Sequence, residues 1–218
     1  MSDQRRISNA NDDFGREIEI NEQFVSDGDM GDLGKDPVEY YHNRAFFFRK
    51  QGRFAEAIAD YSKTIEIQEQ IVRKENRPMN RCDLAQSLYD RGVSRTLIEQ
   101  WKEAGEDIDR SGIILRELIE QGQKYVLVMF LWMGGFRCGH AEKMGNAEKA
   151  AQWANDAMQW FCEEVRAGRS KKLLSKTAER FAVHVESNLE VLLKNGLNEE
   201  LWVTFRKTLE EARRKISG

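Results

Sequence analysis

A small residue recurs along this chain at nearly constant spacing, and this repeat limits the folds open to it. Ala45, Gly92 and Cys138 lie 47 and 46 residues apart, and each directly follows an arginine. The same three positions are each followed twelve residues later by an alanine: Ala57, Ala104 and Ala150. A period of 20–50 residues is typical of arrays in which each repeat is one supersecondary unit. We therefore expect a chain of similar units stacked side by side.

Helix signals fill the region that carries the repeat. Proline occurs only at Pro37 and Pro78, and Asp36-Pro37 is a typical helix start. Gly and Asn residues mark the breaks, and no stretch alternates with the period of two that a strand needs. The pattern predicts an all-α chain of about eight helices, at about 37–51, 54–75, 80–98, 101–121, 124–143, 147–167, 170–194 and 198–216.

The first repeat carries a family resemblance. The stretch from Tyr41 to Ile67 resembles one tetratricopeptide repeat, with Ala45 at the small position of the first helix and Gly52 in the turn. Gly92 and Cys138 begin weaker copies, and a fourth copy around Gly196 extends the resemblance over about 35–216. The resemblance implies antiparallel helix hairpins stacked as a short α-solenoid, a fold that usually binds other proteins. Because the family repeat is about 34 residues, we expect longer helices here.

Two regions differ in composition. Residues 1–37 contain ten acidic and four basic residues, and their main apolar patch is short, at 18–24. Such a segment buries too little apolar surface to fold alone. We predict an acidic, flexible N-terminal tail over residues 1–35 and a repeat domain over 36–218. The alternative is a tail that docks on the domain or on a partner.

The arginine of each repeat is expected to form an ion pair. Asp60 and Asp107 follow Arg44 and Arg91 by 16 residues, so each pair keeps register within its hairpin. We predict helix–helix salt bridges between them. The third copy has Trp153 in place of the acid, which leaves Arg137 without a carboxylate in its own hairpin. That difference makes Arg137 a candidate for contact with a ligand.

The resemblance also implies where a partner binds, because the first helix of each hairpin lines the concave face in this family. The four predicted first helices carry a net charge of +7, and the first three second helices carry −7. A basic inner face favours an acidic peptide. The predicted partner is therefore a protein or peptide of acidic character. The candidate contact residues are Tyr41, His42, Phe46, Arg49, Tyr89, Arg95, Trp132 and Arg137.

Composition argues against other classes of function. The three histidines lie in separate repeats, and Cys138 and His140 point to different faces of one helix, so we predict no metal, cofactor or enzymatic activity. A pI near 5.8 lacks the basic signature of nucleic-acid binding. The longest apolar run is far shorter than the ~20 residues of a membrane helix. We predict a cytoplasmic protein.

Two main functions stay open at this stage. The first is a non-catalytic adaptor or scaffold that binds a partner in a concave groove. The second is a constitutive structural subunit of a larger or homo-oligomeric assembly. RNA binding along the inner face is a third and less favoured alternative, because it would need inner arginines to cluster with exposed aromatic residues.

Overall fold

The structure is a computed structural model, and it describes residues 37–169 and 172–217. The acidic tail predicted for residues 1–35 lies outside the described residues. All regular structure in the described ranges is helical, with no strand. The ten α-helices are α1 (Pro37–Lys50), α2 (Phe54–Lys74), α3 (Pro78–Thr96), α4 (Trp101–Glu120), α5 (Leu127–Gly139), α6 (Ala141–Met144), α7 (Ala147–Arg166), α8 (Lys172–Ser187), α9 (Leu189–Lys194) and α10 (Glu199–Ser217).

The predicted all-helical class is confirmed, but the predicted number of about eight helices is corrected to ten α-helices in the described residues. The helix expected at 124–143 is a 3₁₀ turn (Lys124–Val126) followed by α5 and α6, and the helix expected at 170–194 is α8 and α9. The backbone leaves helical geometry at His140, with φ −124° and ψ 24°, and at Asn188, with φ −130° and ψ 24°. Neither residue is a glycine or a proline, so these breaks gave no strong sequence signal.

The chain divides into two compact units, Met1–Thr64 and Ile65–Gly218. The described part of the first unit is α1 with the first half of α2. Its small core contains Ala45 and Ala57, both fully buried, together with Phe48 and Tyr61. Two small alanines at this point let two helices approach closely, as the repeat predicts.

The second unit is built of helix pairs around a continuous core. Helix α3 packs along α4, α5 packs against α4, α7 and α8, and α10 packs against α7 and α8. Aromatic rings join these helices: the Phe161 and Phe205 centroids lie 5.3 Å apart, and those of Phe181 and Phe205 lie 5.7 Å apart. In the described parts of the chain, no helix combines the length and apolar character needed to cross a bilayer.

The repeated small residues of the second unit lie at close helix–helix contacts. A Cβ atom added to Gly92 would meet Ile108 Cγ1 at 2.8 Å and the carbonyl oxygen of Ala104 at 3.1 Å. In the next pair the Cys138 thiol donates to the carbonyl oxygen of Ala150, with 3.4 Å between sulfur and oxygen. Larger side chains at these positions would force the helices apart, so packing explains the sequence spacing.

Candidate functional site

A groove opens on the second unit between α3, the 3₁₀ turn, α5 and α8. Its volume is about 510 Å³, within the range of ligand pockets in proteins. Helices α3, α5 and α8 are each the first helix of a pair, so the groove lies on the helices that the sequence predicts for the inner face. The groove is lined by Cys82, Gln86, Tyr125, Val126, Val128, Met129, Trp132, Thr177 and Arg180.

Two large aromatic side chains stand exposed at this groove. Tyr125 is 53% exposed and Trp132 is 44% exposed, whereas Val126 is buried beneath them. The Trp132 ring rests on Tyr89, with centroids 4.8 Å apart, and Tyr89 contacts Phe136 at 5.8 Å. Because Tyr89 is itself buried, it supports the indole of Trp132 from below. The groove therefore presents an aromatic surface held in place by the core.

Arg180 supplies the charge of the groove. It is exposed on α8, and no salt bridge to it occurs within the described residues. Lys176, one helical turn earlier, is exposed as well. The acidic residues of α8 bind elsewhere: Glu179 pairs with Arg213 at 3.0 Å and Glu186 with Arg206 at 2.7 Å. Among the described residues that line the groove, Arg180 is thus the one that carries a charge.

The predicted arginine–aspartate pairs are both confirmed. Arg44 Nε donates to Asp60 Oδ2 at 2.6 Å, and Arg44 Nη2 donates to Asp60 Oδ1 at 2.7 Å. Arg91 binds Asp107 in the same bidentate way. Its Nε donates to Asp107 Oδ2 at 2.8 Å, and its Nη2 donates to Asp107 Oδ1 at 2.6 Å. Hydrogen bonding to Asp60 raises the pKa of Arg44 above its ordinary value, despite partial burial. Parallel N–H···O bonds of this kind fix geometry as well as charge.

The inner face carries less free positive charge than its composition indicates. Asp107 accepts from Arg95 as well as from Arg91, with 2.6 Å to Arg95 Nη1. Arg81 is bound to Glu117 of α4. The arginines of α3 are therefore neutralised by acidic residues of α4. Arg180 of α8, by contrast, lines the groove and has no salt bridge within the described residues.

The hypothesis that Arg137 is free to contact a ligand is wrong. Arg137 is fully buried, and its carboxylate comes from the preceding helix pair: Arg137 Nε donates to Asp109 Oδ1 of α4 at 2.9 Å. Arg137 Nη2 also donates to the carbonyl oxygens of Gly145 at 2.6 Å and Asn146 at 3.2 Å. Arg137 thus ties two helix pairs together instead of reaching a surface.

The other contact residues predicted in the second unit have different environments. Trp132 lies in the groove as a large exposed side chain. Tyr89 is 2% exposed, so it supports Trp132 and offers little surface to a partner. Arg95 is bound to Asp107 and also donates to the carbonyl oxygen of Glu103 at 3.2 Å. Of these three residues, only Trp132 is placed to touch a molecule in the groove.

The remaining four predicted contact residues belong to the first unit, all on α1. Phe46 is 37% exposed, with Arg49 and Lys50 at 5.3 and 5.2 Å from its ring centroid. His42 meets the ring of Tyr61 edge-on at 5.5 Å, and Tyr41 packs on Tyr40 with centroids 5.3 Å apart. These four residues share one helix, and none of them is among the residues that line the groove of the second unit.

Sequence reasoning missed most of the groove. It predicted one helix over 124–143, whereas Tyr125 lies in a 3₁₀ turn before α5 and is 53% exposed. It also passed over Arg180. The sequence does carry a signal for Arg180. The residues four before and four after it are Lys176 and His184, so neither of these helical neighbours can supply a carboxylate to it.

Cys82 supplies the one thiol among the described residues that line the groove. Burial raises the pKa of the Cys82 thiol above its ordinary value, and the nearby charge of Asp83 raises it further, so the thiol stays protonated near neutral pH. Within the described residues, no three His, Cys, Asp or Glu side chains form a group that could hold a metal ion. The groove offers apolar contact, two aromatic faces and a guanidinium.

No protein-family model, curated protein or solved structure matches this chain. The class that the fold defines is therefore the broad one of all-helical proteins built of packed helix pairs.

Proposed function

We propose that this chain is a non-catalytic protein-interaction scaffold of the tetratricopeptide-repeat kind, which binds a segment of a partner protein in the groove between α3, α5 and α8. The repeat of small residues at the helix contacts supports the family resemblance. The long helices, such as the 20 residues of α4 and of α7, fit the lengthened spacing. Stacked helix repeats of this type offer extended concave surfaces for binding, and the family resemblance implies that the first helices line that surface.

The observation that carries the proposal is the position of Trp132. A tryptophan that is 44% exposed leaves a large apolar surface in water, which costs free energy in the unbound protein. Its support by Tyr89 means that little side-chain freedom is lost when a partner covers it. Tryptophans in such surroundings supply much of the binding free energy at protein interfaces.

The proposal is tested by selecting peptides from a random displayed library on the full-length protein. The affinities of enriched peptides are then measured for the wild type, for Trp132→Ala and for Ile113→Ala. Ile113 lies on α4, is 42% exposed and does not line the groove, so it is a matched control. We expect Trp132→Ala to weaken binding by roughly 30-fold, corresponding to about 2 kcal/mol. The control should change the affinity by less than about twofold.

Two results would contradict the proposal. One is the absence of enriched peptides that bind the purified protein in solution. The other is equal binding by Trp132→Ala and the wild type, which would place any binding site elsewhere. Thermal unfolding of each variant checks that the substitutions leave the fold intact.

The alternative of a constitutive structural subunit makes a different prediction. Apolar side chains exposed outside the groove include Leu97 at 51% and Val203 at 46%. Exposed apolar residues that are scattered singly are ordinary on protein surfaces. Light scattering of the purified chain decides this point, because a stable homo-oligomer at micromolar concentration favours the subunit and a monomer favours the scaffold.

A further inference from the structure

We infer that the partner segment is acidic: it places an apolar side chain against Trp132 and Tyr125 and a carboxylate against the guanidinium of Arg180. This inference rests on the proposed function and specifies the chemistry of the segment that the groove accepts. Arg180 and Trp132 project from different helices, α8 and α5, but line the same groove. A ligand that fills the groove therefore meets both groups at once.

Charge complementarity leads to this choice of partner. Of the nine lining residues in the described part of the chain, Arg180 is the one with a full charge, and none of these nine is acidic. Exposed Lys176 adds a second positive charge one turn away on α8. The arginines of α3 are bound to α4, because Asp107 holds Arg91 and Arg95 and Glu117 holds Arg81.

Within the described residues, Arg180 has no carboxylate partner, because its acidic neighbours on α8 are paired with other arginines. The acidic residues nearest to it on α8, Glu179 and Glu186, bind Arg213 and Arg206 of α10. A guanidinium at the edge of an apolar groove forms a stronger ion pair with a carboxylate than a guanidinium in bulk water does, because the apolar walls lower the local dielectric constant. It can donate two parallel hydrogen bonds to that carboxylate, which also sets the orientation of the bound segment.

The test uses the full chain and a matched set of synthetic peptides. One is a peptide enriched in the selection described above, the second has each Asp and Glu replaced by Asn and Gln, and the third has them replaced by Lys. Each peptide is titrated by fluorescence anisotropy against the wild type, Arg180→Gln, Arg180→Glu and Arg166→Gln. Arg166 is exposed on α7, away from the groove lining, so its variant removes the same charge elsewhere.

We expect the acidic peptide to bind the wild type at least about tenfold more tightly than its amide counterpart, as a charge-assisted hydrogen bond implies. Arg180→Gln should reduce that ratio to about one, and Arg180→Glu should favour the lysine peptide. Arg166→Gln should keep the wild-type ratio. An acid-to-amide ratio that Arg180→Gln leaves unchanged would overturn the inference.

The failure of this inference is distinguishable from failure of the proposed function. Peptides whose binding depends on Trp132 but not on their acidic residues refute the acidic partner and leave the scaffold standing. Loss of Trp132 dependence refutes both. As a competitor, a peptide with the sequence of residues 16–25, which contains three glutamates and four apolar residues, should displace the bound peptide. Displacement by poly-uridine RNA instead would overturn the assignment to an acidic protein segment.

Discussion

Asn188 Nδ2 donates a hydrogen bond to the carbonyl oxygen of Gly139, with 2.8 Å between the two atoms. Gly139 is the last residue of α5, and Asn188 follows the last residue of α8, so two helix ends in adjacent helices lie against each other. His184 covers the same point, since a Cβ on Gly139 would meet its Nδ1 at 2.9 Å. The amide of Asn188 thus satisfies a carbonyl that the end of α5 leaves without a helical partner.

Replacing Asn188 with alanine should destabilise the protein by about 1–3 kcal/mol, because a partly buried carbonyl would lose its donor. Chemical denaturation monitored by circular dichroism measures this change. Asn195→Ala is the control, since the Asn195 amide donates to the carbonyl oxygen of Val191, four residues earlier, at 2.7 Å. If Asn188→Ala costs no more than Asn195→Ala, the bond between the two helix ends adds nothing to stability beyond a local hydrogen bond.

Gly112 and Gly134 should respond oppositely to an added methyl group. A Cβ on Gly112 would lie 1.9 Å from Trp153 Cη2, in the middle of a buried indole, so Gly112→Ala should destabilise by about 1–3 kcal/mol or more. A Cβ on Gly134 would meet only Phe181 Cε2, at an ordinary 3.9 Å. Gly134→Ala should be neutral or stabilise by up to about 1 kcal/mol through helix propensity. Melting temperatures compare the two, and a stable Gly112→Ala would contradict this packing.

Asp107 should matter more for stability than Asp60. Asp107 binds two arginines and its side chain is 4% exposed, whereas Asp60 pairs with one arginine, Arg44, within the described residues and is 8% exposed. Asp107→Asn would remove the carboxylate that binds two mostly buried guanidinium groups, at a cost of about 3–5 kcal/mol. We expect Asp60→Asn to cost less. Urea denaturation ranks the two variants, and the reverse order would contradict the role of the second arginine.

An exposed pair provides the matched control for these aspartates. Glu190 and Lys194 pair at 2.6 Å, one helical turn apart, with 83% and 70% side-chain exposure. Glu190→Gln should change the free energy of unfolding by less than about 0.5 kcal/mol, because water competes for both partners.

Stability should fall as the medium becomes mildly acidic, with His184 as one cause. Burial lowers the pKa of His184 below its ordinary value of about 6.5, and His140 nearby lowers it further. The unfolded chain therefore takes up this proton at a higher pH than the folded chain. The contribution to stability is complete above about pH 6.5 and is lost as the pH falls through the folded pKa.

Unfolding free energies at about pH 7.5 and about pH 5.5 test this pH dependence. His184→Gln should reduce the difference between the two values, whatever it does to stability at either pH. Val183→Ala, which changes an exposed neighbour without a titratable group, should leave the difference as in the wild type. A His184→Gln protein with the wild-type difference would show that the dependence comes from other groups.

The sequence predicted well those features that depend on local signals and on repeated spacing. Helix starts at Pro37, Phe54, Trp101 and Ala147 follow directly from capping and turn residues. The pairs Arg44–Asp60 and Arg91–Asp107 followed from a constant separation of 16 residues, because a repeated spacing places both members at the same height of each hairpin. Such contacts lie within one repeat, where distance along the chain translates into geometry.

Spacing within one repeat could not predict the contacts between repeats. The partner of Arg137 is Asp109, 28 residues earlier and in the preceding helix pair, so no spacing within a repeat pointed to it. The groove likewise takes its walls from three helices far apart in sequence. Trp132 was a candidate by its residue type, but its support by Tyr89 and its proximity to Arg180 depend on how the helices pack.

The bond between Arg137 and Asp109 makes neighbouring repeats dependent on each other. The positive charge of the third helix pair is neutralised by an aspartate of the second, so removing α4 would leave a buried cation without its carboxylate. Folding of these two pairs is therefore coupled more strongly than apolar contact alone would make it. A deletion of the second pair, or a shuffled order that separates it from the third, would therefore take this carboxylate away from Arg137.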